Sequence, residues 1–133
     1  MHFSVKRLIS DQRGFTMLEM LIVISIIGVL AAVAVPRFTN AITMANTARV
    51  QSDLQVLNSA IVMYQAEKGM YPGSIEELEG YVLDIASVKP PKGKCSLRDG
   101  KILNVTDTNY GLTVDKTQAT CQGKKLSEFG RKD

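Results

Sequence analysis

Residues 15 to 35 are apolar or small at every position except Thr16, Glu19 and Ser25, and this run decides most of what the chain can be. Coiled as an α-helix, its 21 residues reach roughly 30 Å, the thickness of a bilayer core. Its β-branched residues are no obstacle, because in lipid the backbone must satisfy its own hydrogen bonds and a helix does so. Lys6, Arg7 and Arg13 precede the run, and only Arg37 follows closely. The bias of positive charge toward the cytoplasm predicts a single pass with a cytoplasmic N-terminus and the rest of the chain outside.

Glu19 is the one charged side chain between residues 15 and 36. A charge at mid-bilayer costs about 2.5–3.5 kcal/mol on insertion scales, and less near an end. Protonation, a cationic partner, or reaching back to the headgroups would relieve it. An ordinary export signal runs from basic to apolar to a small-residue cut site. Ala31-Ala32-Val33-Ala34 imitates such a site, but cutting there discards Glu19 and leaves it unexplained.

Gly14-Phe15-Thr16, then Glu19, then an apolar helix with Gly28 and Pro36, resembles the N-terminus of type IV pilins and of the pseudopilins of type II secretion. The likeness covers about residues 6 to 38. It implies a leader over 1–14, a transmembrane and assembly segment over 15–36, and a periplasmic or extracellular head over 37–133. It further implies a peptidase cut between Gly14 and Phe15 on the cytoplasmic side, and methylation of Phe15. The cut creates the missing cation, the amine of Phe15, and in assembled filaments Glu19 is expected to meet that amine of a neighbouring subunit. Such pairing favours correct register more surely than it adds net stability. Pro36 removes a backbone donor and Gly28 weakens the helix, so a kink is expected near residues 32 to 36. The implied partners are other pilin-like subunits, the prepilin peptidase, membrane lipid, and an inner-membrane assembly platform with a separate ATPase.

Helical periodicity continues beyond Pro36. Val50, Leu54, Leu57, Ile61 and Tyr64 make an apolar stripe, with Gln51, Asp53 and Asn58 largely elsewhere. Gly69 is placed to cap the helix and Pro72 to stop it, predicting one helix from Phe15 to Lys68. Ser74 and Glu77 have capping-box spacing for a short helix. After Ser87 the pattern changes to strands: Asp99-Gly100 marks a hairpin, and Asn109-Tyr110-Gly111 a further turn. The fold class is therefore α+β, a long helix packed on an antiparallel sheet of three to four strands, and the resemblance implies that this arrangement is type IV pilin-like. Residues 124 to 133 read as a loose polar tail.

Cys95 and Cys121 form a disulfide if this part is exported, or else two buried free thiols. A bond would close 27 residues, worth about 3–4 kcal/mol to a small head in the loop-entropy account. A C-terminal disulfide loop also resembles that of many pilins. The single histidine, His2, leaves no acid–base partner for a nucleophile, and there is no P-loop or dinucleotide fingerprint. No enzyme, no cofactor and no metal site are expected. Asp107 and Asp115 do not make a carboxylate-rich calcium loop, and the tryptophan-glycine-proline motif of major pseudopilins is missing, since the chain has no tryptophan.

The formal charge is +3, of which residues 1 to 14 supply two, so general nucleic-acid binding is disfavoured. Residues 89 to 133 are locally basic, with ten Lys or Arg against five Asp or Glu. The reading is a structural subunit of a type IV pilus, competence pilus or type II secretion filament. The alternatives are a minor pilin whose basic head binds DNA or a surface, and a single-pass membrane protein that does not polymerise.

Overall fold

The computed structural model describes Gly14 and residues 16–132. One helix dominates it: α1 runs Met17–Lys68, unbroken through Pro36. Its end follows the expected chemistry. Gly69 adopts a left-handed φ of 73° and its N–H donates to the Gln65 carbonyl, as a glycine beyond a helix terminus does. The chain divides into two compact units, the first ending at Pro36 and the second beginning at Arg37.

In the second unit, α1 presents Val50, Leu54, Leu57 and Ile61, all fully buried, at the helical spacing read from the sequence. Five short strands cover this stripe. β1 (Gly93–Ser96) pairs antiparallel with β2 (Ile102–Val105). β3 (Gly111–Leu112), β4 (Ala119–Cys121) and β5 (Lys124–Lys125) form a second antiparallel sheet with β4 in the middle. The α+β, pilin-like class stands, with the β layer divided into sheets of two and three strands. Cys95, Leu97, Val105, Tyr110, Ala119, Cys121 and Phe129 complete one core with the helix stripe.

The hairpin at Asp99-Gly100 forms with a longer turn than a two-residue loop. The Gly100 N–H donates to Leu97 and the Leu97 N–H to Lys101, leaving three residues in the loop. Gly100 takes φ 86°, which a side chain would strain. Tyr110 is not in a turn; it is buried, and its hydroxyl donates to Asp53 at 2.6 Å.

The expected loose tail is instead part of the core. Phe129 is fully buried and bridges to Leu97. The Gly130 N–H donates to Ser96, and the Phe129 carbonyl accepts from Gln51 Nε2 at 3.0 Å. Burying one aromatic and satisfying its backbone outweighs the freedom of a polar segment.

The polar residues beside the helix stripe are also not a simple solvent face. Asn46 donates to Lys94, the Thr47 hydroxyl accepts from Ser96 N–H, and Asn58 Oδ1 accepts from Ala119 N–H at 2.7 Å. They occupy strand backbone groups that would otherwise lack partners, and among the described residues no buried side-chain polar atom is unpaired. The Ser74–Glu77 capping box does not close through the Ser74 side chain. Glu77 turns instead to the Gly73 N–H at 2.9 Å and the Tyr64 hydroxyl at 3.0 Å, which holds its carboxyl below the usual range.

Candidate functional site

The first turn of α1 answers part of the question Glu19 raises. Thr16 precedes the helix and Glu19 is its third residue. The Thr16 N–H donates to Glu19 Oε2 at 2.9 Å, and the Glu19 N–H donates to Thr16 Oγ1 at 3.2 Å. This is a reciprocal capping box, in which each side chain satisfies the other's orphan donor. The unpaired amides of the helix start also favour a negative group there. Thr16-Met17-Leu18-Glu19 carries that T-x-x-E spacing openly in the sequence.

Gly14, the residue before the expected cut, is exposed with open space around it. Phe15, the other half of that junction and the expected methylation site, lies outside the described residues, as do the basic residues Lys6, Arg7 and Arg13. Past Glu19 the helix is apolar all round, and the side chains of Met17, Leu21, Ile24, Ile27, Leu30 and Val35 are all exposed. By length and composition this helix is sufficient to cross a membrane, and none of its most apolar window is buried within the chain. The Ser25 hydroxyl is satisfied locally, donating to the Leu21 carbonyl at 2.6 Å, so it adds no orphan polar group. Around Gly28 there is open space where a side chain would stand. Pro36 sits inside the helix without a donor for the preceding turn.

In the head, Cys95 and Cys121 are free thiols, both fully buried in the same core. Burial pushes the Cys121 thiol up to about 12, with Cys95 nearby adding to the rise. Burial raises Cys95 as well, against a hydrogen bond with Thr47. Such thiols are poor nucleophiles at neutral pH. Burial, and then the bond to Asp53, raise the Tyr110 phenol strongly. Among the described residues no group of three or more His, Cys, Asp or Glu could hold a metal ion.

Residues 9–35 match the model of the prokaryotic N-terminal methylation motif. The chain is 35% identical over 101 residues to a type II secretion system core protein G of Klebsiella michiganensis, covering 76% of this chain and 70% of that protein. It is 34% identical over 105 residues to the core protein G of Escherichia coli K12, covering 79% and 71%. It is 34% identical over 128 residues to the type IV major pilin protein PilE of Neisseria gonorrhoeae, covering 91% and 68%. No solved structure matches. An apolar helix opened by Thr16 and Glu19, a small antiparallel head on its second half, and relatives of this identity and coverage place the chain in the family of type IV pilins and type II secretion pseudopilins.

Proposed function

We propose that this pilin-like structural subunit assembles through the helix beginning at Met17 into a thin helical filament of a type IV pilus, a competence pilus or a type II secretion system. One observation carries the reading: an apolar surface surrounds the helix from Met17 to Val35 and, among the described residues, none covers it. Lipid covers it while the subunit is stored, with the N-terminus cytoplasmic. Neighbouring helices cover it in the filament.

Processing between Gly14 and Phe15 leaves Thr16 as the second residue, so its N–H survives and the capping box with it. Glu19 then has two tasks. One carboxylate oxygen closes the helix end by accepting from the Thr16 N–H. The negative charge meets the methylated amine of Phe15 on a neighbouring subunit, in a setting with few competing partners. Gly28 and Pro36 are where the helix would yield as subunits pack. The prepilin peptidase and a platform with its own ATPase act from the cytoplasmic side. After export the Cys95 and Cys121 thiols, buried together in one core, would join as a disulfide.

Capping and charge pairing are separable. Glu19→Gln keeps an acceptor for the Thr16 N–H but removes the charge; Thr16→Val weakens the cap but keeps the charge. The reading expects Glu19→Gln to be processed yet absent from sheared filaments, and Thr16→Val to assemble with modest loss. Normal filaments from Glu19→Gln would refute the pairing.

A further inference from the structure

Charge is segregated within the head. Residues 64–86 carry Glu67, Glu76, Glu77, Glu79 and Asp84 against Lys68 alone. Residues 87–105 carry Lys89, Lys92, Lys94, Arg98 and Lys101 against Asp99 alone. The two groups anchor at different levels of α1. Tyr64 and Glu67 hold the acidic segment through Glu77 and Tyr81. Asn46 and Arg49 hold the basic segment through the carbonyls of Lys94 and Lys89. The levels differ by roughly 18 residues, or about 27 Å of helix.

Each end carries an apolar feature that its own chain leaves uncovered. At the basic end an open groove of about 650 Å³ runs beside α1, with Thr43, Met44 and Ile102 among its walls and Lys94 and Arg131 on its rim. Met44 is 61% and Ile102 55% exposed. In the acidic segment, Leu83 is 97% exposed. It stands beside Asp84, whose backbone is left-handed at φ 51°, and Glu79 lies four residues earlier in the chain. A large apolar residue between acids matches an apolar groove between cations.

We propose that the Leu83 turn of one copy docks in the Met44–Ile102 groove of a second copy, with Glu79 and Asp84 facing Lys94 and Arg131. The contact joins two different surfaces, so each copy still offers a free groove and a free turn. Repetition gives an open, staggered array rather than a closed dimer. This contact rests on the filament reading above and adds, between heads, a second constraint on the axial register that the Glu19–amine pairing favours.

The test uses the full chain carrying Leu83→Cys and Ile102→Cys together, with each single variant as control, assembled and then mildly oxidised. The proposal expects a ladder of cross-linked copies only in the double variant. In that background, Glu79→Lys or Arg131→Glu alone should cut the ladder by about fivefold or more, and the two together should restore it to within about twofold. Filaments without a ladder, or Ile102→Cys captured by a different protein, overturn this contact while leaving the filament reading intact. Absence of filaments from the unaltered chain overturns both. Should the cysteine pair itself block assembly, the charge reversals decide in the otherwise native chain: loss singly with rescue together supports the contact, and unchanged assembly refutes it.

Discussion

Phe129→Ala should cripple the head although only four residues of the sequence follow it. Phe129 is fully buried among Leu97 and the helix stripe, so its truncation loses both burial and packing. Such a change costs about 3–5 kcal/mol. The backbone bonds from Gln51 and Arg98 to the Phe129 carbonyl survive the substitution and soften it slightly. A domain of this size has a total stability near the low end of about 5–15 kcal/mol, so more than half is removed. The corresponding drop in Tm is about 12 °C or more. Cys95 and Cys121 supply the assay, because both are fully buried. Under reductant, the urea concentration at which they begin to react with a thiol reagent reports opening of the core. Phe129→Leu should cost much less, about 1 kcal/mol. A Phe129→Ala midpoint shifted by less than about 1 kcal/mol would show that the tail does not hold the core.

Tyr110→Phe removes the donor to Asp53 at 2.6 Å and should cost about 1–3 kcal/mol by leaving a partly buried carboxylate short of a partner; the same urea titration reads it. The reduced head should lose stability as pH rises from about 9 through about 12. Burial lifts Cys121 from an ordinary value of 9.0 to about 12, and the bond to Glu67 first, then burial, lifts Tyr81 from 10.0 to about 12. The folded form keeps protons that the unfolded form has released, so these contributions are complete below about 9 and fade above it. Oxidation to the disulfide removes the thiol part of that slope and should add about 3–4 kcal/mol; a flat alkaline profile in the reduced protein contradicts the burial argument.

The parts of this fold that obey a period were legible. The apolar run, the stripe from Val50 to Ile61 and the stop at Gly69 follow from spacing and backbone freedom alone. What escaped is polar and long-range. Gln51 and Asn58 look like solvent positions beside an apolar stripe, yet they serve strand and tail backbone groups whose needs exist only in the folded head. Phe129 sits in a stretch too polar for any window to mark, so a single buried ring decides its fate. The Ser74–Glu77 spacing was legible but misleading, because Tyr64 and the Gly73 N–H reach Glu77 in a short 3₁₀ turn. At Glu19 the reverse holds: its nearest partner is a cap three residues away, legible in the T-x-x-E spacing.

The account rests on a peptidase freeing an amine at Phe15 that Glu19 of a neighbour then meets. Mass spectrometry of subunits from sheared, purified filaments measures this directly. The account predicts a chain that begins with methylated Phe15. Subunits that still carry Met1, or that begin beyond Ala34, would contradict it.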